Sequence, residues 1–167
     1  MKQSIPTIAA LALLVAVAGA EAADVKIGFV DVERIRRESA PAEAASRKLE
    51  KEFAPRAQEM QRREAQIKSM QGSFEKEAMT MAESERRAKE QELTRMTVDF
   101  QRLQREYRED LNLRRNQELA SLFEQADKVI KKIAEAEQFD LIVQEAVFRS
   151  SRIDITDRVI KALSQAK

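Results

Sequence analysis

The sequence predicts a mainly α fold with a small β body, in which a long α-helical hairpin is inserted between short strands. Three observations carry that prediction. Residues 41–138 contain one Gly, Gly72, and one internal Pro, Pro55, and apolar residues recur three or four apart through dense charge. Such a run far exceeds the roughly 8–20 residues of an ordinary globular helix and has the form of a helical hairpin or coiled coil. Alternating extended patterns occur only near the two ends of the chain. A hairpin this thin buries little apolar surface, so its function is expected in shape, surface and assembly.

The N-terminus is set apart. Lys2 supplies a positive start, residues 5–20 are apolar and uncharged, and Ala20-Glu21-Ala22 fits the small-x-small cleavage rule. Residues 1–22 therefore read as a secretory signal peptide, with cleavage after Ala22 and Ala18-Gly19-Ala20 as the alternative site. The apolar run is shorter than the roughly 20 residues of a membrane span. About 145 residues remain, the length of one domain. The chain has no Cys and no His. Export without cysteine suits a bacterial periplasm and leaves no disulfide framework. Nucleophilic triads and soft-metal sites lack their residues, and no Gly-rich phosphate loop occurs. No catalytic residue, metal site or cofactor is expected. Thirty basic and 29 acidic residues give a net charge of +1, without the basic excess of a nucleic-acid binder.

The mature chain starts with a strand. In residues 25–30, Val25, Ile27 and Phe29 alternate with Lys26 and Gly28, the period of two of a half-buried strand. Asp31 can cap a short helix with Val32 and Ile35 on one side. Ser39-Ala40-Pro41 marks a break, with Pro41 placed as the first residue of the next helix.

Along that helix Ser46, Phe53, Met60, Ile67 and Phe74 recur every seven residues, interleaved with Leu49, Arg56, Arg63 and Met70. Arginine at two seam positions makes this weaker than a leucine zipper. Pro55 removes a backbone donor and is expected to kink the helix near its base. Thr80-Met81-Ala82-Glu83 has the form of a capping box. Thr80 is therefore taken as the start of the returning helix and residues 76–82 as the tip, with Gly72-Ser73 as a rival turn. Arms of about 35 residues would be about 50 Å long. The returning helix carries Leu93, Met96, Phe100, Leu103, Tyr107 and Leu111, then Leu119, Leu122, Ala126, Val129, Ile130 and Ile133. Its stripe is denser toward residue 133, so the base should pack better than the tip.

Phe139-Asp140-Leu141-Ile142-Val143 reads as a strand, and Ala146-Val147-Phe148-Arg149 as a second extended piece. Ser150-Ser151 turn the chain. Thr156 is the expected N-cap of a last helix, with Ile155 and Ile160 forming a hydrophobic staple and Val159 and Leu163 on the same face. The domains read as a body of residues 23–45 and 116–167 and a hairpin of residues 46–115. Pairing residues 25–30 with residues 140–149 closes the body. It is too small to be stable alone, so oligomerisation through its strands is expected.

Three stretches taken together resemble the Skp/OmpH family of periplasmic chaperones: IGFVDVERIRRESAPAEAASRKLEKEF (Ile27 to Phe53), RAQEMQRREAQI (Arg56 to Ile67) and FDLIVQEAVFRSSRIDITDRVIKAL (Phe139 to Leu163). The resemblance implies a jellyfish-like homotrimer whose β body joins three subunits and whose hairpins project like tentacles around a cavity. In that cavity unfolded outer-membrane proteins would be held without nucleotide. On that reading Met70, Phe74, Met79, Met81, Leu93 and Met96 are the client-binding candidates, since methionine adapts to varied apolar contacts. Met60, Ile67, Phe100 and Leu103 are better explained by packing across the hairpin. Val25, Ile27, Phe29, Leu141, Ile142 and Val143 are placed in the body or trimer core. Arg114 and Arg115, near Arg105 and Arg108, align with a pattern linked in the family to lipopolysaccharide, although Gln104 stands where a further Lys is expected. They are better explained as a solvated face paired with Glu109 and Asp110. For the whole chain, the alternative is a periplasmic coiled-coil adaptor that holds no client.

Overall fold

The computed structural model describes residues 24–165. The signal peptide expected at residues 1–22 lies outside the described residues. The elements in chain order are β1 (Ile27–Phe29), α1 (Val32–Glu38), α2 (Ala40–Glu77), α3 (Glu83–Ala136), β2 (Leu141–Val143) and α4 (Thr156–Gln165). Helices dominate, and α2 and α3 form the predicted hairpin between the two strands.

β1 and β2 pair in parallel, with Ile27 opposite Leu141, Gly28 opposite Ile142 and Phe29 opposite Val143. Parallel strands need a long crossover; here the crossover is the whole hairpin. The other side of β1 is closed by the segment before α4. The Phe29 amide donates to the Ile153 carbonyl at 2.7 Å, and the Ile155 amide donates to the Phe29 carbonyl at 2.9 Å. The expected second extended piece does not form: residues 146–149 carry no strand, and Phe148 is 86% exposed. Val147 and Phe148 stay exposed among the described residues, whereas Ile153 and Ile155 are drawn to β1. Gly28 is where a side chain would collide, since a Cβ there would sit 3.2 Å from the Phe139 ring.

The core lies at this root. Val30, Ile35, Ala42, Leu122, Ala126, Ile155, Val159 and Leu163 form one buried cluster, with Ile133, Phe139 and Ile142 packed on it. The residue after β1, α1, β2, α4 and the base of both long helices contribute. Beyond it only Phe53 and Ile67 are buried along the arm. The expected gradient, better packed at the base than at the tip, is present.

Local chemistry sets the helix ends. The Asp31 carboxylate accepts from the Arg34 amide at 2.9 Å and caps α1 as expected. Ser39 caps α2 through the Ala42 amide at 3.4 Å, which makes Pro41 the second helical residue and not the first. Two other caps differ from expectation. The Thr80 hydroxyl donates back to the Glu77 carbonyl at 3.0 Å, so it closes the end of α2; α3 starts after Ala82 with no side-chain cap. Thr156 lies inside α4, and its hydroxyl accepts from the Asp31 amide at 2.9 Å. Asp154 takes over the capping task, accepting from the Thr156 amide at 2.9 Å. Both threonine hydroxyls had competing partners that spacing alone does not show.

α3 ends in a Schellman motif. The Phe139 amide reaches the Ala134 carbonyl at 2.9 Å and the Gln138 amide the Glu135 carbonyl at 3.4 Å, with Gln138 at φ 56°. Glycine normally takes that left-handed position. The motif turns Phe139 back onto the core.

Arg149 ties the loop to the root. Its guanidinium lies 4.3 Å from the Phe29 ring centroid and bonds the Asp154 carboxylate at 3.0 Å, with Asp31 at 3.5 Å. Burial would raise the Asp154 pKa, but the hydrogen bonds from Thr156 and Arg149 outweigh it and hold the carboxyl below its ordinary 3.8.

Three outcomes follow from these details. The Gln138→Gly variant should be more stable by about 0.5–1 kcal/mol, because the left-handed strain is relieved; urea unfolding followed by circular dichroism measures it. Pro55 sits exposed in α2, and its missing N–H leaves the Lys51 carbonyl without a helical partner. Pro55→Ala should add about 1–3 kcal/mol to the arm, visible as slower amide exchange around residues 50–56. A group with a lowered folded pKa contributes stability that is complete above its unfolded pKa and fades as pH falls through the folded value. Asp154→Asn should therefore cost stability at neutral pH, and its gap to the parent should close as pH drops below 3.8.

Candidate functional site

The arm is held in register by charge. Cross-hairpin ion pairs join Glu77 to Lys89 at 3.3 Å, Arg56 to Asp110 at 2.7 Å, Glu52 to Arg114 at 3.1 Å and Lys48 to Glu118 at 2.7 Å. Each residue of advance along α2 is matched by one of retreat along α3, so the helices do not slip between tip and base. Arg56 explains how an arginine fits the seam. Its guanidinium lies 5.6 Å from the Phe53 ring and 5.8 Å from the Tyr107 ring, which meet edge to face at 5.6 Å. Arg63 points away and pairs with Glu59 on its own helix at 2.7 Å.

Apolar side chains are not sealed inside this frame. Near the tip, a groove of about 570 Å³ is lined by Met70, Phe74 and Met96, with Ser69, Ser73, Lys89 and Glu92 around them. Three of the six sequence candidates therefore share one site. Met81 and Leu93 are half-buried. Met79 stands in the turn between the helices and is 94% exposed. Of the residues assigned to cross-hairpin packing, Ile67 is buried and Met60, Phe100 and Leu103 are half-buried.

The sequence reading missed a second groove at the arm base. It measures about 450 Å³ and is bounded by Ala42, Ala45, Leu49, Phe53, Leu111 and Leu119, with Arg115 and Glu50 at its rim. Small residues on α2 leave the space: Ala42, Ala45, Ser46, Ala54 and Ala57 face a larger partner stripe. That alanine spacing is the clue in the sequence. Val98 and Leu113 also lie exposed on α3, at positions the heptad reading did not mark.

The body candidates divide. Phe29 is buried and Ile142 packs on the core. Val143 is half-buried. Val25, Ile27 and Leu141 are 63, 39 and 50% exposed, so within one chain they lie outside the core. The outer edge of the sheet, at β2, thus carries Leu141 in the open, with Ile27 exposed opposite it on β1.

Arg114 and Arg115 have different surroundings. Arg114 bonds Glu52, Glu118 and Gln117, not the expected Glu109 and Asp110; Asp110 is taken by Arg56. The Glu52 hydrogen bond raises the Arg114 pKa further. The Lys48 hydrogen bond, opposed by desolvation and helped by Arg114, holds Glu118 below the usual carboxylate range. Arg115 has no carboxylate partner among the described residues. Also among the described residues, no group of three or more His, Cys, Asp or Glu side chains could hold a metal ion, and no helix is long and apolar enough to cross a membrane.

This architecture has known counterparts. A crystal structure from Caulobacter crescentus CB15, described as an OmpH-like outer membrane chaperone, superposes with a TM-score of 0.74 over 84% of this chain and 85% of that one. At 14% identity that likeness speaks to fold alone. The chaperone protein Skp of Photorhabdus luminescens is 31% identical over 146 residues, covering 86% of this chain and 88% of the relative. Skp of Escherichia coli K12 is 28% identical over 148 residues, with 89% of each chain covered. Residues 26–163 match the family model for outer membrane protein (OmpH-like). That match runs from β1 through both arms to α4, and with it this chain belongs to the OmpH-like family of outer membrane proteins, the family of the Skp chaperones.

Proposed function

We propose that this protein is a nucleotide-independent holdase of the bacterial periplasm, which keeps unfolded outer-membrane β-barrel proteins from aggregating and passes them toward the outer membrane. The family is one of chaperones and not of enzymes, in keeping with a chain that has neither Cys nor His. The observation that carries the reading is the arm itself: a long charged hairpin whose Met70, Phe74 and Met96 gather in an open groove while Met79 stands free at the tip. Held apart by charged side chains, such patches stay soluble singly and bind weakly. Summed over several arms, weak contacts hold a chain that exposes many apolar groups at once. Met81 and Leu93, half-buried on the same arm, add to that surface.

The assembly is a homotrimer with a jellyfish outline, built by the body of residues 23–45 and 116–167, with residues 46–115 as the tentacle. Support comes from the exposed Val25, Ile27 and Leu141 on the small sheet and from Val147 and Phe148 in the adjoining loop. Open strand edges and apolar loops of this kind invite pairing with another chain. Lipopolysaccharide or another anionic membrane surface would meet Arg115 first, because Arg114 is already engaged by carboxylates.

Diluting a urea-unfolded outer-membrane β-barrel into the purified protein, without nucleotide, tests the proposal by light scattering. Suppression should saturate near three subunits per client. Replacing Met70, Met79 and Met96 by Gln and Phe74 by Ser together should weaken client retention by roughly tenfold or more, with helicity unchanged. Arg95→Glu, a charge reversal at a highly exposed position, should leave retention intact. Aggregation equal to a buffer control from a folded protein would favour the adaptor reading. Full retention by the fourfold variant would overturn the placement of the contacts on the arm.

A further inference from the structure

We propose that Met79 is an oxidation site through which a peroxide makes the arm tip polar. Its exposure has a structural cause. The turn between α2 and α3 is pinned on both sides, because the Thr80 hydroxyl donates to the Glu77 carbonyl at 3.0 Å and Lys89 reaches across to the Glu77 carboxylate at 3.3 Å. Residue 79 lies between these ties, and its thioether is held outward at 94% exposure. The other described methionines, Met60, Met70, Met81 and Met96, are half-buried. No cysteine and no tryptophan competes for oxidant anywhere in the chain.

The chemistry balances within the proposal. A sulfur lone pair of Met79 attacks one oxygen of hydrogen peroxide, the S–O bond forms as the O–O bond breaks, and the departing hydroxide takes the proton of the sulfur-bound oxygen and leaves as water. Sulfur is oxidised by two electrons and the peroxide is reduced by two. The product is a sulfoxide, polar and chiral where the thioether was apolar and flexible. A sulfoxide is also open to enzymatic reduction, so the change is reversible. The consequence for client binding rests on the holdase function proposed above: an oxidised tip loses apolar contact and releases bound chains more readily.

Two arms test it on the purified mature protein. In the first, peptide mass mapping after graded hydrogen peroxide should give Met79 sulfoxide roughly fivefold or more ahead of Met60, Met70 and Met96. Equal rates, or Met79 among the slowest, would overturn the site, and this arm needs no client. In the second, mild peroxide should lower retention of an unfolded β-barrel by the parent. Met79→Leu should resist that loss, and Met79→Gln should show it without oxidant. Preferential oxidation with retention unchanged would refute the release step alone. Failure of the untreated parent to retain any client would refute the holdase function and leave the mapping to decide the site.

Discussion

The structure depends on one constraint: the two ends of a long chain are fastened side by side. β1 is gripped between β2 and the segment before α4, with backbone hydrogen bonds to both. The grip is short, three residues in each strand, so side chains reinforce it. Arg149 stacks on Phe29 while bonding Asp154, and the Thr156 hydroxyl receives the Asp31 amide. Around this fastening the core gathers Val30, Ile35, Leu122, Val159 and Leu163 from elements far apart in sequence. Closing so large a loop costs entropy that grows only slowly with its length, and the loop here is mostly helix, which has few conformations left to lose. The hairpin can therefore be long at little further cost, provided its root holds.

The arm lives on different energetics. Away from the root it buries Phe53 and Ile67 and little else. Its alignment comes from ion pairs at matched positions, solvent-accessible to half-buried and worth a few tenths to about 1 kcal/mol each. Such pairs define register better than they define stability, since a slipped hairpin would set like charges against one another. Arg56 combines both roles, reaching Asp110 while covering two aromatic rings. A rigid root thus carries an arm that keeps its alignment and still yields locally.

What the sequence made legible follows the same division. Features fixed by local spacing were readable: the strand around Ile27 and Phe29, the Asp31 cap, the hairpin, and the gradient of packing toward Ile133. Tertiary competition hid the rest. Thr80 and Thr156 each had the right spacing for an N-cap, but one hydroxyl found the Glu77 carbonyl and the other the Asp31 amide. Val147 and Phe148 have strand-like composition, yet among the described residues no strand edge pairs with them. On the arm, heptad positions located Met70, Phe74 and Met96. They gave no hint of the base groove, because a groove is set by what is missing: the alanines of α2 leave room that Leu111 and Leu119 do not fill. Arg114 was identified by charge clustering, but its partner Glu52 lies on α2, beyond the reach of neighbour counting along one helix.

The separation of the apolar sites bears on why such an arm would hold unfolded chains and spare folded ones. The tip groove, the base groove and Met79 are distinct, with Glu, Lys and Arg between them. No single site offers the broad apolar area that a stable contact between two folded surfaces requires. A folded protein presents scattered apolar side chains in fixed positions and can match one site at a time. An unfolded chain presents many and rearranges until several are satisfied together. Under the proposed holdase function, multivalency would then favour the unfolded partner by the product of small affinities. Discrimination would arise from the spacing of weak sites along a register-locked hairpin, and the strand fastening at the root is what anchors that spacing.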